Sequence, residues 1–109
     1  MSGCPAASSA GAQKAYAEAV ALAPDLPAAY YSWGLALARH GDLNGAQAKL
    51  EAARARGPGW ADPLKAEGDI LSRQGRFHDA VAKYDAAIKR APVWAALHQA
   101  RDEAARRAG

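Results

Sequence analysis

Leu64–Pro92 reads LKAEGDILSRQGRFHDAVAKYDAAIKRAP and consists of two amphipathic segments on either side of Gly75. Leu64, Gly68 and Leu71 share one helical face of the first segment, and Phe77, Ala80, Tyr84 and Ala87 share one of the second. The same plan occurs 34 residues earlier in Tyr30–Pro58, YYSWGLALARHGDLNGAQAKLEAARARGP. Superposing the two copies pairs Gly34 with Gly68, Leu37 with Leu71, Arg39 with Arg73, Gly41 with Gly75 and Lys49 with Lys83. It also pairs Ala46 with Ala80, Ala53 with Ala87, Arg56 with Arg90, Pro58 with Pro92 and Trp60 with Trp94. Small, large and proline positions all repeat, which a chance helical hairpin rarely reproduces. The chain is a helical repeat.

Working outward, helices are predicted over 10–23, 27–40, 43–56, 62–74, 77–90 and 93–107. Pro24, Gly41, the Gly57-Pro58-Gly59 run, Gly75 and Pro92 separate them. Ser9 and Asp25 read as N-caps, as does Asp42, and Pro27 suits a first helical turn. Acidic residues near helix starts and basic residues such as Arg39, Arg56 and Arg90 near ends complement the helix dipole. Residues 1–9, small and interrupted by Pro5, are expected to be disordered. Alanine dominates the apolar half of the composition, and no run alternates with strand period, so the fold class is all-α.

A helix–turn–helix unit repeating every 34 residues resembles the tetratricopeptide repeat (TPR) family, from about residue 10 to the C-terminus. The resemblance implies an α-solenoid of antiparallel helix pairs, about two and a half repeats plus a C-terminal capping helix. The divisions would be a half repeat at 10–26, full repeats at 27–60 and 61–94, and the capping helix at 95–109. Gly34 and Gly68 would admit a neighbouring helix, with Ala46, Ala53, Ala80 and Ala87 as the approaching surfaces and Leu50 and Tyr84 filling the gap. The last helix has Asp102 and Ala105 where glycine and leucine stand in the repeats, which fits a polar terminal cap.

Ala12, Tyr16, Ala19 and Pro24 lie one period before Ala46, Leu50, Ala53 and Pro58, so the first helix is half of a repeat. Either the chain is the C-terminal piece of a longer, bacterial-looking array, the preferred reading, or another copy supplies the missing helix. Glu67 stands where Trp33 stands one repeat earlier; it either weakens packing or finds a basic partner.

In the TPR family the first helices of successive repeats line a groove that holds a peptide or a partner helix. That face would carry Tyr31, Leu35 and Arg39, then Lys65, Asp69 and Arg73, and finally Gln99. Tyr31 and Leu35 suggest an apolar floor, while the cations suggest an acidic ligand or a terminal carboxylate. The family's two-carboxylate clamp is rejected. Tyr31 stands where a second lysine is needed, and Leu35 and Asp69 stand where asparagines belong.

The remaining composition argues against other classes. The net charge is +3, but acids and bases interleave, against the one-sided charge of nucleic-acid modules. No apolar run approaches the roughly 18 residues of a membrane span, and the first ten residues lack a signal-peptide core. Ser2-Gly3-Cys4 looks like the end of a lipoprotein signal without its hydrophobic stretch, so a cytoplasmic location is expected. Cys4 has no cysteine to pair with, and His40, His78 and His98 have no acid at ligand spacing. No phosphate loop, nucleophile elbow or metal motif occurs, so no catalysis, cofactor or metal is expected. The expected function is a protein- or peptide-binding scaffold. The alternatives are an assembly module pairing through its first helix, as a homo-oligomer or with upstream repeats, and a C-terminal appendage of a larger enzyme.

Overall fold

The computed structural model describes residues 4–109, with side chains described from Gly11 onward. The described residues form six helices: α1 Cys4–Leu22, α2 Pro27–Arg39, α3 Leu43–Arg56, α4 Asp62–Arg73, α5 Phe77–Arg90 and α6 Ala95–Ala108. No strand occurs among the described residues. The chain forms two compact units, one ending at Arg56 and the other running from Gly57 to Gly109.

Helix α1 corrects the expected start. It begins at Cys4 and not at residue 10, so Ser9 lies inside the helix. Pro5 falls in the first turn, where its missing N–H costs nothing, and the alanines that follow favour helix throughout. Met1, Ser2 and Gly3 lie outside the described residues. Asp25 is not a cap either, because the N-cap of α2 is Leu26 and makes no side-chain cap bond.

In the first unit α2 packs along α3. Tyr30, Gly34 and Leu37 are buried against Ala46, Leu50 and Ala53, the last three fully. The turn between them is a Schellman closure: Asp42 N–H donates to Leu37 O at 2.9 Å and Gly41 N–H to Ala38 O at 3.0 Å. Gly41 holds φ at +87°, a left-handed conformation that only glycine adopts without cost. Asp42 then caps α3 by accepting from Gly45 N–H at 2.9 Å.

The second unit repeats this closure with Arg76 N–H on Leu71 O, Gly75 N–H on Ser72 O and Gly75 at φ +77°. Arg76 replaces the aspartate cap and reaches Asp79 with Nε and Nη2, at 3.1 and 2.8 Å. Leu64, Leu71, Ala80, Tyr84 and Ala87 form the core with Leu97 and Ala104 of α6, whose Arg101 also pairs with Asp85 of α5 at 2.9 Å.

The two period arginines have a structural task. Arg56 Nε donates to Pro24 O at 2.6 Å and Nη1 to Ala52 O at 3.0 Å, with the guanidinium 4.3 Å from the Tyr30 ring centre. One period on, Arg90 donates to Pro58 O and Ala86 O, both at 2.7 Å. Each arginine ties the carbonyl of a proline loop to the last turn of its own helix. Dipole compensation is therefore only part of their role.

Candidate functional site

Two of the seven expected site residues meet in one network. Lys65 and Asp69 sit one turn apart on α4 and pair at 3.0 Å. Asp69 also accepts the Tyr84 hydroxyl at 2.5 Å, and Ser72 Oγ lies 3.5 Å from that hydroxyl. Burial, reinforced by the Asp69 carboxylate, pushes the Tyr84 phenol well above the usual tyrosine range. The Lys65–Asp69 pair is thus tied inward to α5. Of the other residues, Tyr31 and Leu35 are half-buried on α2, Arg39 is exposed at its end, and Gln99 is exposed on α6. Arg73 is exposed at the end of α4 and borders a pocket.

The raised phenol has a measurable consequence. An unfolded tyrosine ionises near pH ~10, whereas folded Tyr84 keeps its proton. Its contribution is therefore whole below pH ~10 and is lost as pH rises above that value, where unfolding releases a proton. The Tyr84 part of that loss is expected to be about 1.4 kcal/mol per pH unit. Tyr84→Phe should abolish it and cost about 1–2 kcal/mol at neutral pH. Equal slopes in urea titrations of both proteins between neutrality and alkaline pH would show that the folded phenol is not held protonated.

The pocket lies in the second unit where the end of α4, the start of α5 and the end of α6 meet, with a volume of about 320 Å³. Phe77, Tyr84, Ala100 and Ala104 make its apolar floor; Ser72, Arg73, Glu103 and Arg107 make its rim. Glu103 accepts from Arg107 Nε at 2.6 Å and from Arg106, which hold its carboxyl below the usual carboxylate range. Arg107 also lies 5.9 Å from the Phe77 ring centre. Of these lining residues, Arg73 falls on the face expected to line a groove. Phe77, Ala100, Ala104 and Arg107 were not legible as site residues, since alanines in a helical pattern signal core and Phe77 fills a repeat core position.

A second pair of interactions occupies equivalent places in the two units. In the first, Trp33 stacks on Tyr16 with ring centres 6.3 Å apart, donates to Gln13 Oε1 at 2.5 Å, and carries Lys49 Nζ 3.8 Å from its ring centre. In the second, Glu67 replaces Trp33 and Lys83 replaces Lys49; Lys83 Nζ stands 3.9 Å from Glu67 Oε1. Glu67 is 0% exposed. The basic-partner reading of Glu67 is the correct one, and the lysine keeps its place while its electron-rich neighbour changes from ring to carboxylate.

Among the described residues no three His, Cys, Asp or Glu side chains gather as a metal site, and no helix is long and apolar enough to cross a membrane.

The chain is similar in structure to MamA, a TPR-like helical repeat protein. The TM-score to the crystal structure of MamA is 0.78 at 23% sequence identity, over 91% of this chain and 60% of that one. No family model and no curated protein sequence matches. At that identity the likeness speaks for the fold alone. The fold is all-α, of the TPR-like solenoid class.

Proposed function

We propose that the chain is a non-catalytic scaffold that binds protein or peptide ligands through Tyr31, Leu35 and Arg39 of α2 in the first unit and through Lys65, Asp69 and Arg73 of α4 and Gln99 of α6 in the second. The observation that carries this reading is the open, apolar-floored pocket bordered by Arg73 and Glu103 on a TPR-like fold. Apolar floors with a few polar groups at the rim suit ligand capture. Tyr31→Ala, Lys65→Glu and Arg73→Glu are each expected to reduce partner recovery in a pull-down with the intact protein while the helical circular dichroism signal is retained. An unchanged set of partners with all three folded variants would remove the groove reading.

A second reading, assembly through α1, has its own observation. Ala46, Leu50, Ala53, Ala80 and Ala87 are fully buried, and Tyr84 nearly so. The α1 counterparts are open: Ala12 and Tyr16 are half-buried, Ala19 is exposed, and nearby Leu22 is 87% exposed. Such a face suits a covering helix, from a second copy or from upstream repeats. Light scattering at high concentration should then show a dimer that Leu22→Glu shifts toward monomer; a monomer throughout would leave no role for self-pairing.

A further inference from the structure

We propose that the open face of α1 is covered by α1 of a second copy of the chain, running antiparallel to it about a two-fold axis near Tyr16. This inference rests on the assembly reading and names its partner and direction. Helix α1 is held to α2 from one side: Tyr16 stacks on Trp33 with ring centres 6.3 Å apart, and Trp33 donates to Gln13 Oε1 at 2.5 Å. The side left open carries Ala12, Tyr16, Ala19 and Leu22 within one helical stripe. The first three of these match positions that are core in both later copies of the repeat. Helix α1 therefore presents a core surface without its cover.

A further repeat of the same plan is disfavoured as that cover by Leu22. It lies one period before Arg56, which in turn lies one period before Arg90. Each of those arginines fastens the proline loop that leads into the first helix of its own pair, Arg56 through Pro24 O and Arg90 through Pro58 O. A covering helix of that plan would bring its own leading loop to the end of α1, and the Leu22 side chain has no N–H to offer it. Leu22 is apolar and 87% exposed, which suits an apolar neighbour instead.

Charge sets the direction. Lys14 and Glu18 are exposed and lie one turn apart along the edge of the open face, next to Leu22. A two-fold axis perpendicular to the helices brings this edge against the same edge of the second copy in reversed order. Lys14 of each copy then meets Glu18 of the other. A parallel pair would set that edge against the opposite one, where Gln13 and Tyr16 stand, and neither charge would find its opposite across the interface. A single helix face is smaller than the ~800 Å² per partner of a standard interface, so the pairing is expected to depend on concentration.

The test uses the full chain in sedimentation equilibrium over a range of concentrations. The unaltered protein should dimerise. Lys14→Glu and Glu18→Lys should each weaken the dimer at least about threefold, and the double variant should restore it, all with an unchanged helical circular dichroism signal. For the direction, Ala12→Cys and Ala19→Cys are made in a Cys4→Ser background and carry different tags. Mild oxidation of their mixture should give the mixed disulfide in preference to either homodisulfide, because only antiparallel helices set position 12 beside position 19. Homodisulfides in preference to the mixed one, or a dimer indifferent to both charge reversals, overturn the inference and leave the assembly reading standing. Ala19→Cys joining Ala105→Cys on α6 of another copy in preference to Ala12→Cys overturns the assignment of the cover, again without touching assembly itself. A monomer at every concentration overturns both.

Discussion

Gly68→Leu is expected to lower the stability of the protein by about 3 kcal/mol, read as a shift in the urea midpoint. A Cβ at position 68 would stand 2.5 Å from Tyr84 Cε1, 2.8 Å from Cδ1 and 2.9 Å from Cζ. Real carbon pairs do not approach so closely, so the ring must move. It is not free to do so, because its hydroxyl is bonded to Asp69, which is itself paired with Lys65. Moving the ring therefore costs packing and a charge-assisted hydrogen bond together. The equivalent Gly34 faces a milder neighbour, with Leu50 Cγ at 2.9 Å, Cδ2 at 3.0 Å and Ala46 O at 3.2 Å. Leu50 has no polar anchor and can yield by a rotamer change, so Gly34→Ala should cost less than Gly68→Ala. Combining Gly68→Ala with Tyr84→Leu should recover part of the loss, since the pair then imitates Gly34 and Leu50. If Gly68→Ala instead raised the midpoint, by the ~1 kcal/mol that helix propensity alone supplies, the close crossing of α4 and α5 would be wrong.

The helix-breaking chemistry shows why some boundaries were legible and others were not. Both ends of α3 and of α5 agree with the sequence, because Gly41 and Gly75 are needed at positive φ and Asp42 is a side-chain cap. The start of α1 offers no such contrast: alanine and serine continue without a stop, and a first-turn proline does not oppose a helix. The residues expected to face a groove could be placed on their helices by spacing alone, as Lys65 and Asp69 one turn apart demonstrate. Their engagement with Tyr84 could not. That bond joins residues fifteen apart and exists only because glycine at 68 lets α5 come close. The arginine bonds to proline carbonyls are hidden for a related reason, since an acceptor on the backbone has no residue type. Glu67 is the instructive case. Its partner was already marked by the repeat, as Lys49 and Lys83 occupy the same place, but the trade of ring for carboxylate becomes a contact only once α4 and α5 are packed.

That trade makes Lys83 the second large expected effect. Lys83→Met keeps most of the aliphatic stem and removes the ammonium that stands 3.9 Å from Glu67 Oε1. Glu67 is fully buried, so the loss leaves a carboxylate in the interior with less opposing charge, and the expected cost is about 3 kcal/mol at neutral pH. Lys49→Met is the control. There the lysine faces the Trp33 ring, a neutral partner that needs no counter-charge, and the expected cost is about 1 kcal/mol. The double change Lys83→Met with Glu67→Met should regain most of what Lys83→Met loses, because an apolar pair of similar volume carries no desolvation penalty. Urea denaturation of the four proteins measures the coupling between positions 67 and 83 once Glu67→Met alone is added to the set. Equal losses from Lys49→Met and Lys83→Met, with no recovery in the double variant, would mean that Lys83 does not compensate the buried carboxylate. Recovery would show that α4 tolerates Glu67 because α5 brings Lys83 to meet it, as α3 brings Lys49 to Trp33.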